Sequence, residues 1–145
     1  MTLLTGLLVI AMSIPLVVVF RSYQYDRLSL GLERDALVIS GDLGSIPPAQ
    51  WPALVNSYES RTGVRVTVVD AQSKVLTDSE GATVGSDFQR TEMASALKGG
   101  IAAGVRYSTT LSTELRYVAV PIKDGSQVIG AVRLSVPETE VQQDV

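Results

Sequence analysis

Nineteen residues without a single charge, Thr2 to Phe20 (TLLTGLLVIAMSIPLVVVF), open the chain. No other feature so restricts what it can fold into. At about 1.5 Å of rise per residue, a helix of this length spans roughly 28 Å, close to the ~30 Å hydrocarbon core of a bilayer. A helix of a water-soluble domain carries a polar stripe, whereas here only Thr2, Thr5 and Ser13 interrupt the apolar surface. Pro15 is costly in the interior of a soluble helix but tolerated in a membrane helix. A cleavable secretion signal has a shorter apolar run followed by a small-x-small site; this segment runs straight into Arg21-Ser22-Tyr23-Gln24-Tyr25. Without cysteine there is no lipoprotein anchor. We therefore expect a retained transmembrane helix over 2–20. Its orientation stays open. Basic residues gather on the cytoplasmic side of a span, and Arg21, Arg27 and Arg34 all follow it, but the abrupt start at Met1 leaves room for a basic flank upstream.

All 12 Lys and Arg and all 15 Asp and Glu lie after Phe20, so the remainder carries the whole net charge of −3. Its basic residues are scattered rather than striped, which argues against a nucleic-acid partner. About 125 residues suffice for one compact domain. From Arg21 a helix is expected to continue out of the membrane over 21–46. Tyr25, Leu28, Leu32, Ala36, Ile39 and Leu43 recur at helical spacing, and Ile46-Pro47-Pro48 ends the pattern. Two readings of this seam stand side by side: packing onto the domain's own sheet, or a homodimer interface continuing from the membrane helix.

A second helix fits Ala49 to Arg61, with Trp51, Leu54, Val55 and Tyr58 on one face and Gly63 as its C-cap. Trp51 reads as core more readily than as a ligand-stacking residue, because its spacing belongs to that face. The period then changes to two. Val64 to Asp70 and Lys74 to Asp78 form a β-hairpin around Ala71-Gln72-Ser73. Thr91 to Lys98 reads as a short helix, with Thr91 as N-cap and Gly99-Gly100 as its stop. Three further strands follow at Gly104–Thr109, Glu114–Ile122 and Gln127–Val136, the last two joined through Asp124-Gly125. Two helices followed by five locally joined strands predict an α+β fold: an antiparallel sheet with helices on one side.

The chemistry is sparse. The chain has neither His nor Cys, so a histidine base, a zinc triad and a thiol nucleophile are excluded. The glycines from Gly99 to Gly104 lack the following Lys of a phosphate loop, and no nucleophile elbow is present. Asp78 with Glu80, or Asp87 with Glu92, are not fixed at the separation acid–base catalysis requires, and isolated acids are usually solvated. We assign no catalytic, metal or cofactor site. For ligand binding the candidates are Arg106-Tyr107 and Arg116-Tyr117, with Asp78 and Ser79 at the end of the hairpin. One sheet face could present both guanidinium groups for forked recognition of a carboxylate or phosphate. The plainer alternative is a pair of exposed cross-strand arginines with tyrosines in the core, or the reverse.

The order of parts, together with GVRVTVVDAQSKVLTDS, SALKGG, GVRYSTTLSTELRYVAVPI and GSQVIGAVRLSVPETEV, resembles the sensor region of bacterial two-component sensor histidine kinases. The likeness is strongest from Gly63 to Val141. It implies a PAS-like extracytoplasmic fold of the single Cache or PDC type over 47–137, with a five-stranded antiparallel sheet. The anchor would be the first of two membrane helices, and 138–145 the start of a linker to the second. It further implies a bacterial cell-membrane location with the domain outside, a homodimer, and a small molecule or envelope protein as signal, passed on through the first helix. The kinase's phospho-accepting histidine and ATP-binding boxes are absent from these residues, so the chain reads as a non-enzymatic part of a larger receptor. Rival outputs are a chemoreceptor or a diguanylate cyclase, and a small membrane-anchored adaptor is a further alternative.

Overall fold

The structure, a computed structural model, describes residues 30–109 and 111–137. The segment at 2–20, Tyr25 and Leu28 of the seam, and the stretch at 138–145 lie outside the described residues. Among the described residues no helix is long and apolar enough to cross a membrane. The chain falls into two compact units, Met1–Gly31 and Leu32–Val145, and the architecture is that of the second.

Helix α1 runs to residue 45 and stops where Pro47 and Pro48 cannot continue it. A 3₁₀ turn, Pro48–Gln50, leads into α2, Trp51–Thr62. Gly63 closes α2 in the left-handed conformation (φ 71°), donating its N–H to the Glu59 carbonyl. Strands β1 (Arg65–Asp70) and β2 (Val75–Asp78) form the hairpin. Asp70 builds its turn by accepting the backbone N–H groups of Gln72 and Lys74 at 2.8 and 3.0 Å. Helix α3, Thr91–Leu97, precedes the meander β3 (Ala102–Ser108), β4 (Thr113–Asp124) and β5 (Gln127–Pro137). Thr91 is the first helical residue rather than the cap. Arg90 occupies the cap position in an extended conformation, and no side chain bonds the helix end.

The sheet order is β2-β1-β5-β4-β3, antiparallel throughout. The hairpin and the meander are each local, and β5 joins them by pairing with β1 on one side and β4 on the other. The chain between β2 and β3 must therefore travel from one edge of the sheet to the other, and α3 lies on that path. This overturns the expectation of helices on one side. Leu32, Ala36, Ile39 and Leu43 of α1 and Trp51 and Val55 of α2 pack with Val66, Val68, Val118, Val120, Ile122, Val132 and Leu134. Met93 and Ala96 of α3 pack with Val69, Ala119 and Ala131, the intervening residues. Central β1 and β5 are thus buried on both faces, whereas edge strand β3 keeps every second residue exposed.

The seam of α1 faces inward: Leu32, Ala36, Ile39 and Leu43 are each 7% exposed or less. Between the two readings of these four residues, the domain's own core uses them, while Leu37 and Val38 point away and are exposed. The helix approaches β4 closely. Ser40 donates its hydroxyl to the Pro121 carbonyl, and a Cβ on Gly44 would stand 2.6 Å from the Lys123 carbonyl oxygen. Trp51 is core, its indole N–H donating to the Leu43 carbonyl at 2.8 Å. Tyr58 of α2 donates its hydroxyl to Asp35 of α1 at 3.1 Å.

Two outcomes follow from this packing. Leu43→Ala is expected to destabilise the domain by about 2–5 kcal/mol, while Leu37→Ala stays within about 0.5 kcal/mol, both read from urea unfolding curves. Burial, reinforced by the Asp35 charge, raises the Tyr58 phenol from 10.0 to about 12. The folded state holds that proton more tightly, so the α1–α2 tie contributes in full below pH ~10 and is lost as pH climbs through the folded value. Ultraviolet difference titration is expected to show a tyrosine step near pH 12 that vanishes in Tyr58→Phe and moves down in Asp35→Asn.

Candidate ligand-binding cleft

Strand pairing decides which side chains meet, because residues opposite one another in an antiparallel ladder share a face. Asp78 stands opposite Thr67, Thr67 opposite Arg133, and Arg133 opposite Ala119. In the next row Arg65 faces Ser135, Ser135 faces Tyr117, and Tyr117 faces Gly104. Arg106 lies opposite Leu115 in the row beyond. All of these are on the α3 side of the sheet. Arg116 pairs with Val105 and Tyr107 with Glu114, so these two belong to the other side. Arg106 and Arg116 therefore do not share a face, since the register sets Arg106 opposite Leu115 and leaves Arg116 opposite Val105. Arg106 and Tyr117 do come together.

A cleft of about 410 Å³ opens on the α3 side, lined among others by Arg65, Phe88, Arg90, Arg106, Leu115 and Arg133. Guanidinium groups and aromatic rings alternate along it. Arg90 lies 5.5 Å from the Phe88 ring centre, and Arg133 lies 5.7 Å from the same ring and 5.3 Å from that of Tyr117. Arg106 completes the series at 5.7 Å from Tyr117. Each such contact is worth roughly 0.5–1 kcal/mol at an exposed site and more when water is excluded. Gly104 makes room for the Tyr117 ring: a Cβ there would stand 2.7 Å from the phenolic oxygen. Tyr107 borders the mouth of the cleft, although its side chain is largely exposed.

The arginines are not equivalent. Arg65 is engaged by Asp78 through an aligned fork, donating Nε to Oδ1 at 3.2 Å and Nη2 to Oδ2 at 2.7 Å, with Glu80 a further 3.7 Å ion-pair partner. Asp78 also accepts from the Thr67 hydroxyl and the Glu80 backbone. The hydrogen bonds to Asp78 hold the Arg65 pKa above its ordinary value. The Ser79 hydroxyl accepts the Val66 N–H at 2.9 Å. Both sequence candidates at the hairpin end, Asp78 and Ser79, thus have their polar atoms committed within the hairpin.

Arg133 is different. Its side chain is 3% exposed, in the middle of the sheet, and its Nε approaches Glu92 Oε1 at 2.9 Å. The approach is poorly aligned, so Arg133 Nε and Nη2 and both Glu92 oxygens are buried without a hydrogen-bond partner. Burial pushes the Arg133 pKa down. The charge of Glu92 opposes that shift and Arg106 adds to it. Arg106 Nη2 reaches the same Glu92 oxygen at 3.5 Å. Such a site can take an anion: positive, partly dry, and walled by rings that exclude water.

Arg133, Phe88 and Arg90 were not singled out by sequence reasoning, and Glu92 entered it only beside Asp87 as an acid–base pair that was set aside. A charge inside the apolar run Ala131-Val132-Arg133-Leu134 was a signal, since a buried charge needs a partner. Nothing local pointed to Glu92 as that partner. Asp87, five residues before Glu92, instead pairs with Lys74 at 2.6 Å.

The chain is similar to several sensor proteins. The Escherichia coli sensor protein CreC is 35% identical over 80 residues, which are 53% of this chain and 17% of CreC. The E. coli DcuS sensor domain superposes with a TM-score of 0.63 at 21% identity, covering 78% of this chain and 93% of that one. The isoleucine-bound sensory domain of the Campylobacter jejuni chemoreceptor Tlp3 gives a TM-score of 0.70 at 14% identity, covering 83% and 56%. At these identities the two structural likenesses speak for the fold. The profile of the single cache domain 3 family matches residues 31–145, and the chain belongs to that family.

Proposed function

We propose that this chain is the membrane-anchored sensory input region of a two-component sensor histidine kinase, and that its domain reads a small anionic molecule outside the cytoplasm of a bacterium. Residues 2–20 form the anchor in this reading, 21–46 the signalling helix, 47–137 the sensor and 138–145 the way to a second span. The observation that carries it is Arg133, buried beside the cleft with an unpartnered Nη2. The similarity to CreC supports a kinase as the output. The likeness to Tlp3 supports a second output, a chemoreceptor, built on the same input fold.

Strand β5 provides the route for the signal. Arg133 faces the cleft, while its neighbours Val132 and Leu134 belong to the core that holds Ile39 and Leu43 of α1. A ligand that favours one setting of β5 shifts the packing of α1, and only a difference in affinity for the two settings can drive that shift. In a homodimer, the outward face of α1 with Leu37 and Val38 remains available for the partner.

Binding is tested with the full chain in detergent micelles, using malonate and inorganic phosphate as probe anions in a calorimetric titration. One of them is expected to bind, and Arg106→Ala to weaken it about tenfold or more, as loss of a charge-assisted hydrogen bond implies. Binding that ignores Arg106→Ala would place the anion elsewhere. Anchoring is tested in cells. Carbonate-washed membranes are expected to retain the chain, and protease added outside to digest the domain; release by carbonate or full protection overturns the topology.

A further inference from the structure

Glu80 is the carboxylate in the cleft wall and pairs with Arg65 at 3.7 Å, whereas Glu92 stands against two other arginines of the cleft, where a ligand's anionic group belongs. Glu92 is 2% exposed, and Oε1 is the atom nearest to both Arg133 and Arg106. The other arginines of the cleft do not share it. Arg65 is engaged by Asp78 and Glu80, and Arg90 rests against the Phe88 ring. One carboxylate serving two guanidinium ions leaves the pair short of negative charge, and its imperfect alignment forgoes the forked hydrogen bonds that an Arg–carboxylate contact normally gains.

We infer that Glu92 is a resident competitor for the anion site: a small carboxylate or phosphate binds by taking Arg133 and Arg106 from it, and the displaced side chain carries the first turn of α3 away from the sheet. This rests on the cleft receiving an anion, as proposed above. Arg133 lines the cleft and its unpartnered Nη2 is buried, so an incoming oxyanion gains that donor only as Glu92 withdraws, aligning with a fork that Glu92 meets only at Nε. Once its two cations are taken, Glu92 is an uncompensated buried charge, and that is strongly unfavourable. It cannot stay where it is. The element carrying it is short: α3 is seven residues long, no side chain caps its start, and its apolar hold on the sheet comes from Met93, Ala96 and the partly buried Leu97. The same exchange sets specificity, because a neutral molecule offers nothing to replace Glu92 on two guanidinium groups. Arg90, on the other side of Phe88, offers a further cation to a ligand with two acidic groups.

The test again uses the full chain in micelles, with malonate and inorganic phosphate, comparing the wild type with Glu92→Gln by calorimetry. Glu92→Gln leaves Arg133 and Arg106 without their resident counter-ion and is expected to bind the responding anion about tenfold more tightly. Which of the two anions responds tells a carboxylate ligand from a phosphate one. Hydrogen exchange on the wild type gives a readout that needs no variant to fold: backbone amides over 92–98 are expected to exchange faster when the anion is added. Equal or weaker binding by Glu92→Gln, or added protection of 92–98, overturns the competitor role while the anion cleft stands. If neither anion binds either protein, both readings fall.

Discussion

Strand β5 is the constraint on which the structure depends. It alone pairs with both halves of the sheet, β1 of the hairpin and β4 of the meander, so without it the two local motifs have no reason to meet. Being central, it is covered on both faces and contributes to both cores. The period of two then does something a helix cannot: consecutive residues Val132, Arg133 and Leu134 report to opposite sides of the same sheet. One side is the packing of α1, the other is the cleft. Chemistry on one face and a long helix on the other are thereby separated by a single peptide step.

That arrangement requires a charge in a place where charges are costly. Arg133 is buried in mid-sheet, and what makes it tolerable is Glu92 together with the flanking rings of Phe88 and Tyr117. A buried ion pair is weak support for stability in general, because desolvation offsets most of the attraction. Here the pair is also imperfectly satisfied, in contrast to the Arg65–Asp78 fork a few ångströms of sheet away, where aligned donors meet both oxygens. Both pairs join an arginine to a carboxylate, and they differ in alignment. The aligned fork holds the end of the hairpin, and the misaligned one keeps hydrogen-bonding capacity in reserve beside the cleft.

Much of the fold was legible along the chain. Alternation in Val64 to Asp70 and in Gln127 to Val136 gave strands within a residue or so of Arg65–Asp70 and Gln127–Pro137. Gly63 and Asp124-Gly125 marked the end of α2 and the β4–β5 turn. These signals are local, and local backbone preferences decide them. Two local readings failed. Thr91 has the chemistry of a cap, but the extended residue at the cap position is Arg90 and Thr91 is already the first helical residue. Arg106 and Arg116 looked alike, each beside a tyrosine, yet the register of β3 against β4 sends them to opposite faces.

By itself the sequence determined the class of the domain, the period of each element and the apolar stripe Leu32, Ala36, Ile39, Leu43, because each rests on residues within a few positions of one another; that the stripe faces the domain's own sheet came from the tertiary structure. Only the tertiary structure decided which residues make the cleft. Glu92 and Arg133 are separated by more than the length of β3 and β4 together, and they meet because a chain that starts β2 at one edge and β3 at the other must cross the sheet above β5. Which of two faces a side chain takes is a matter of register, and register is set between strands, by long-range pairing that no short stretch of sequence encodes.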